Sequence, residues 1–155
     1  MNDFIYVKNN YMMLKERIER VADKVGVKGP MLLPVTKSGS DEELIALFSY
    51  GATALGENRP SELKRRAELL EAHGFAPELH EIGTLQSNKA KLIARNVTLV
   101  HSLASLSLAK ELNRLAAIHG RRIPVLIEIN SAEEMQKDGD MPVPIQDTAV
   151  IVRSP

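Results

Sequence analysis

The sequence has no cysteine and no tryptophan, and Phe, Trp and Tyr together make up only 4% of its 155 residues. Without cysteine the chain forms no disulfide and carries out no thiol chemistry, which is compatible with a reducing compartment. No apolar run approaches the roughly 20 residues that a membrane-spanning helix needs. The first residues also lack the charged-then-apolar order of a signal peptide. We therefore expect a soluble, cytoplasmic protein.

The sequence also lacks an excess of charge of either sign, because Lys+Arg and Asp+Glu both number 20. No overall field draws in nucleic acid or an anionic membrane, so neither is an expected partner. The basic cluster Lys64-Arg65-Arg66 falls on a predicted helix, and we interpret it as a solvated face. The four histidines do not have the spacing of metal ligands, and no metal site is expected. Apolar residues at 44% and charged residues at 26% are typical of a globular domain.

One short apolar run ends on a lysine. Residues 31–36 predict a buried strand, Lys37 follows them, and the turn residues 38–40 come next. The carboxyl ends of parallel strands meet at one edge of a sheet, where α/β folds build their sites. Burial there disfavours the charged form of lysine, and a neutral amine is a nucleophile toward aldehydes. The alternative is a lysine that extends its ammonium to solvent at a strand end.

The rest of the chain alternates between helical and strand patterns. A three-to-four residue apolar repeat predicts a long helix that starts near Phe4 and stops at Gly26. Strands are predicted over residues 31–36, 52–56, 78–83, 97–101 and 123–129. The helices between them indicate a parallel sheet with right-handed crossovers.

We expect an α/β fold of the (β/α) TIM-barrel type. It would be incomplete, with about five units after an N-terminal helix, whereas a full barrel has eight strands. A doubly wound sheet is disfavoured because no Gly-x-Gly-x-x-Gly follows the first strand. The periodicity fails near the end, so we expect one domain over residues 1–155 with a divergent tail at residues 140–155. Pro34 would be tolerated if its nitrogen faced a free edge of the sheet, or if a bulge accommodated it.

Polar side chains stand where the predicted strands end. The candidate binding residues are Lys37, Asn58, Ser102, Asn130 and Lys137. On a barrel, the strand ends converge on one face. The alternative for the asparagines and the serine is helix capping or turn formation. For Lys137 the alternative is an exposed lysine in a stretch without periodicity.

Several motifs resemble one known family, the pyridoxal phosphate homeostasis proteins, which are single-domain relatives of the amino-terminal barrel of alanine racemase. The resemblance extends from about Leu14 to Gly139 and rests on motifs in the family's order and spacing: Val35-Thr36-Lys37, Gly56-Glu57-Asn58, Ile82-Gly83-Thr84-Leu85-Gln86-Ser87-Asn88-Lys89, Val100-His101-Ser102 and residues 130–139. It implies a (β/α) barrel and pyridoxal 5′-phosphate held as a Schiff base on Lys37. It also implies a role in carrying or buffering this aldehyde for acceptor apoenzymes, without a known catalysed reaction.

The sequence departs from that family in several places. The family's chain continues through three more strands, and residues after Met141 no longer resemble it, as in a truncated or frameshifted reading frame. Thr84 stands where the family usually has histidine. Ala104 stands where an aspartate usually begins the next helix, and losing that cap costs about 0.5–2 kcal/mol unless Ser102 or Ser105 replaces it.

Three functions remain open from the sequence. The first is a pyridoxal phosphate carrier. The second is an amino-acid racemase or related enzyme, which is disfavoured because racemisation needs acid/base groups on both faces of the substrate and alanine racemases take one from a separate domain. The third is a cofactor-free remnant that needs a partner for its missing strands. Open edges at strands one and five also predict self-association.

Overall fold

The computed structural model describes residues 4–128, in which helices and strands alternate as the sequence predicts. Its elements are α1 (Ile5–Val25), α2 (Asp41–Ser49), β1 (Ala54–Glu57), α3 (Pro60–Ala72), β2 (Glu78–Glu81), a 3-10 helix (Ser87–Leu92), β3 (Leu99–Leu103), α4 (Leu106–Ile118) and β4 (Val125–Ile127). The tail at residues 140–155 lies outside the described residues, so the expected domain division stays a prediction.

The four strands form one parallel sheet in the order β1-β2-β3-β4. Leu55 pairs with Leu79 and Glu57 with Glu81, and Val100 of β3 pairs with both Glu81 and Val125. A doubly wound sheet reverses its strand order at a switch point, whereas this order follows the chain without reversal. The prediction of an α/β fold with the arrangement of an incomplete (β/α) barrel is confirmed.

The predicted first strand is reduced to a single bridge between Val35 and Gly56. Thr36 N donates to Gly56 O at 3.0 Å, and Gly56 N donates to Pro34 O at 2.8 Å. Because the N and C=O of one strand residue point to the same side, the Pro34 nitrogen also faces β1 and offers no N–H for the next rung. The expectations of a buried regular strand and of a proline nitrogen at a free edge are therefore wrong, and Val35 is 51% exposed.

Most helix ends follow their sequence signals. Gly26 ends α1 with a φ of 68°, and Ser40 begins α2 in a full capping box with Glu43. Pro60 occupies the first turn of α3. The missing aspartate before α4 is replaced by Ser105, whose hydroxyl accepts from Leu108 N at 3.2 Å. These caps satisfy N–H or C=O groups that would otherwise lack helical partners.

The helix expected between β2 and β3 is a short 3-10 helix that ends at Leu92. Lys89 N donates to Gln86 O at 2.9 Å, which is the three-residue spacing of this tighter helix. Its Ala90 is buried and joins the core between the sheet and the helices. That core is built mainly from leucines and alanines of β1, β2, α3 and α4, including Leu55, Leu63, Leu70, Leu79, Leu108 and Leu112. Within residues 4–128 no helix is long and apolar enough to cross a membrane.

Candidate functional site

Three of the predicted site residues lie at the carboxyl edge of the sheet. Lys37 comes two residues after the Val35 bridge, and Asn58 comes directly after β1. Ser102 is the penultimate residue of β3. The other two predicted residues, Asn130 and Lys137, fall outside the described residues, so their assignment stays a prediction.

The strand register assigns Val35 and Gly56 to the same face of the sheet. The two residues form the bridge, and partners on neighbouring strands carry their side chains on one face. A Cβ placed on Gly56 would lie 3.2 Å from the Leu33 side chain and 3.4 Å from that of Ile82, so these two side chains also lie there. We call this side, opposite to the helices, the inner face.

Lys37 occupies a turn whose two ends are held by one arginine. Gly39 N donates to Thr36 O at 3.0 Å, which closes a four-residue turn with Lys37 at its second position. The Arg66 guanidinium donates through NH1 to Thr36 O and through NH2 to Gly39 O, the latter at 2.9 Å. Lys37 itself is exposed, so its amine is accessible from solvent.

Arg66 is buried, so the interpretation of its basic cluster as a solvated face is wrong at this position. Its side chain is 6% exposed, whereas the neighbouring Arg65 is 45% exposed and pairs with Asp41 at 2.7 Å. A signal for this was present in the sequence. Arg66 lies three residues after Leu63 and four before Leu70, so it continues the inward stripe of α3.

A buried glutamate completes this network. Glu57 Oε2 lies 3.6 Å from Arg66 Nε and accepts from the Thr36 hydroxyl at 3.2 Å. Its other oxygen, Oε1, accepts from Asn58 N at 3.0 Å. Arg66 and Glu57 therefore connect the turn that carries Lys37 to the backbone of Asn58. This pairing was not predicted from the sequence.

The loops after β1, β2 and β3 are also joined at this edge. The Ser102 hydroxyl donates to Gly83 O. A Cβ on Gly83 would overlap the Asn58 carbonyl group, so this close approach of two loops requires glycine. The Ser102 contact matches the alternative foreseen for that residue, in which its hydroxyl bonds to backbone and supports a loop.

Two histidines pair on the inner face beneath this edge. His80 Nδ1 and His101 Nε2 are 2.9 Å apart, so one ring donates and the other accepts. Burial lowers the pKa of both side chains, and the neighbouring His101 lowers that of His80 further. The pair therefore favours the neutral form. The spacing of the histidines in the sequence did not predict this contact.

Comparison with known proteins identifies the family. A family model described as alanine racemase, N-terminal domain, matches residues 10–152.

The chain belongs to the alanine racemase N-terminal domain family.

The curated proteins that are similar to this chain share one name, pyridoxal phosphate homeostasis protein. The pyridoxal phosphate homeostasis protein of Haemophilus influenzae is 29% identical over 138 residues, covering 88% of this chain and 58% of the relative. That of Helicobacter pylori (strain 26695) is 35% identical over 112 residues, covering 72% of this chain and 50% of the relative. The chain thus spans between half and three-fifths of the length of these curated relatives.

Solved structures are similar over most of the chain. The crystal structure of a protein from Bifidobacterium adolescentis matches with a TM-score of 0.71 and 28% identity, over 86% of this chain and 58% of that one. The structure of PipY from Synechococcus elongatus PCC7942 with PLP bound matches with a TM-score of 0.62 and 27% identity. That match covers 75% of this chain and 55% of PipY.

This family member also buries a second carboxyl group near the site. Glu81 is 0% exposed and lies opposite Glu57 in the strand register. Its Oε1 accepts from Gly83 N at 3.1 Å, and its Oε2 has no hydrogen-bond partner among the described residues. Burial raises its pKa to about 7, the Glu57 carboxylate raises it as well, and the Gly83 N–H lowers it. Within residues 4–128, no group of three or more His, Asp or Glu side chains could hold a metal ion.

Proposed function

We propose that this chain binds pyridoxal 5′-phosphate through Lys37 and takes part in the homeostasis of that cofactor. The observation that carries the proposal is the position of Lys37, an accessible lysine at the carboxyl edge of a parallel sheet, in a turn whose ends are held by Arg66. The names of the relatives and the PLP-bound structure of PipY support the choice of ligand.

The residues at this edge fit such a ligand. The cofactor supplies an aldehyde, and condensation of an aldehyde with a lysine amine forms a carbon–nitrogen double bond and releases water. Lys37 would provide the amine. The exposed Asn58 would offer its amide at the same edge, and Val35, on the inner face and 51% exposed, would offer apolar surface to a ring. His101 also falls on the inner face, two residues beyond Leu99, which pairs with His80.

The proposal extends to the predicted site residues without a described position. Asn130 would add a polar contact where the fifth predicted strand ends. Lys137 would be a second amine that receives the aldehyde before it passes to an acceptor apoenzyme. Ser102 would support the site through its bond to Gly83 O. A cytoplasmic location is part of the same proposal, since a cysteine-free chain is compatible with a reducing compartment.

An absorbance titration tests the binding function. Purified full chain is titrated with pyridoxal 5′-phosphate, and the spectrum of the cofactor should change saturably with one equivalent bound. The control is Lys37→Ala, which should abolish the change. An unsaturable change, or the same change in the variant, would contradict the proposal. Racemase and transaminase assays separate a carrier from an enzyme, and turnover above that of the free cofactor would favour the enzyme.

We also propose that the chain self-associates through the edge of its sheet. Among the described strands, β4 is the last of the sheet, and Leu126 and Ile127 are 48% and 47% exposed. Strand edges with apolar side chains pair readily with another chain. A second copy of this chain is the partner we favour.

A further inference from the structure

Two observations indicate that backbone pairing with the sheet is not enough to fix the turn at Lys37. The segment before it makes one bridge to β1, because Pro34 has no N–H to extend the ladder. The four-residue turn itself is closed by a single backbone hydrogen bond, from Gly39 N to Thr36 O. A strand that ended in a full ladder would fix the direction of its last side chain, and this segment lacks such a ladder.

Arg66 provides the contacts that the ladder does not. Its two terminal nitrogens donate to the first and the last carbonyl of the turn, Thr36 O and Gly39 O. A guanidinium is planar and holds its donors in a fixed fork, so two such bonds fix both the position and the tilt of the turn. Lys37 lies between these two carbonyls, so the position of the guanidinium determines the direction of the Lys37 Cα–Cβ bond.

A contribution to stability does not by itself explain why Arg66 and Glu57 are buried together. Arg66 is paired with Glu57 in the interior, with 3.6 Å between Nε and Oε2 and side chains 6% and 2% exposed. A buried ion pair contributes little net stability, and apolar side chains of similar size often stabilise a protein as well or better. The pair therefore fits a role in geometry better than a role in stability.

We propose that Arg66 is a positioning residue for the amine of Lys37. Through its bonds to Thr36 and Gly39 it sets the direction in which Lys37 presents Nζ at the carboxyl edge of the sheet. Glu57 holds Arg66 in place and connects it to Asn58. This role rests on the proposed binding of pyridoxal 5′-phosphate by Lys37.

The test compares two neighbouring arginines on α3. Arg66→Met replaces the guanidinium by an apolar side chain that suits a buried site, and Arg66→Gln is a second, polar replacement. Arg65→Met is the matched control, because Arg65 is exposed and pairs with Asp41 and Glu62. Each full-length variant is incubated with pyridoxal 5′-phosphate and treated with borohydride, which reduces the carbon–nitrogen double bond to a stable single bond. Peptide mapping then gives the ratio of label on Lys37 to label on Lys110, an exposed lysine of α4.

We expect the Lys37:Lys110 ratio to fall roughly tenfold or more in both Arg66 variants, as for the loss of one hydrogen bond to a charged group, and to stay unchanged in Arg65→Met. The far-ultraviolet circular dichroism of Arg66→Met should match that of the wild type, and Gly39 N–H should exchange faster in this variant. An unchanged ratio in either Arg66 variant would overturn the positioning role while leaving the proposed function intact. A wild-type chain without preferential label on Lys37 would instead overturn the proposed function, and the role of Arg66 with it.

Discussion

Replacing Glu81 by glutamine should remove one contribution to the pH dependence of stability, the loss of stability that this carboxyl group causes as the pH rises. The Glu81 side chain is fully buried, one of its oxygens has no hydrogen-bond partner among the described residues, and the Glu57 carboxylate lies opposite in the register. Burial, with that carboxylate, raises its pKa to about 7. Glutamine has nearly the same shape and carries no ionisable group.

The size and sign of the effect follow from the two pKa values. An unfolded glutamate titrates near 4.3, so a native pKa of about 7 corresponds to about 3–4 kcal/mol of free energy of unfolding. Between these values the native state binds more protons than the unfolded state. The contribution is therefore fully present below about pH 4 and is lost as the pH rises through about 7.

Urea unfolding at pH 5.5 and pH 8 measures this contribution. Glu81 should cost the wild type about 2 kcal/mol between these two pH values, a loss that Glu81→Gln does not share. His80 and His101 act in the opposite direction because burial lowers their pKa values, so the difference between variant and wild type is the quantity to compare. Glu71→Gln, at an exposed position of α3, should behave as the wild type does. Equal pH dependence in Glu81→Gln and the wild type would refute the reasoning.

Two further predictions concern the cap of α4 and the edge of the sheet. Ser105→Ala should lower the free energy of unfolding by about 1 kcal/mol because Leu108 N loses its acceptor. Ser61→Ala, at an exposed position of α3, should not lower it. Equal losses for the two variants in urea unfolding would show that Ser105 does not cap α4. Leu126→Lys should shift sedimentation velocity toward the monomer because it places a charge on the exposed edge, while Leu106→Lys on α4 should not. A wild-type chain that sediments as a sharp monomer peak would contradict self-association.

Local interactions explain which parts of the fold could be predicted. Gly26, the Ser40–Glu43 capping box and Pro60 act within a few residues of the helix ends that they define, and Gly26 ends α1 where predicted. The strand order followed from the alternation of elements, since crossover connections place successive strands side by side. In contrast, the first strand looked regular by composition, and only the pairing geometry shows that Pro34 faces β1 and limits the ladder to one bridge.

Tertiary contacts explain what the sequence left open at the site. Lys37 and Asn58 were predicted because strand ends share one edge, and both come two residues after the residues that the bridge between Val35 and Gly56 brings together. Arg66 was missed because its burial depends on Glu57 and on two backbone carbonyls far along the chain, although its spacing from Leu63 gave a signal. The contact between His80 and His101 likewise joins two strands.

Mapping the attachment site of the cofactor tests the central claim most directly. The full chain is incubated with pyridoxal 5′-phosphate, reduced with borohydride and digested, and the labelled peptides are identified by mass spectrometry. Lys37 should carry most of the label at one equivalent of cofactor, and Lys37→Ala should lose it. Label spread evenly over the surface lysines, and unchanged in Lys37→Ala, would show that this lysine does not hold the cofactor.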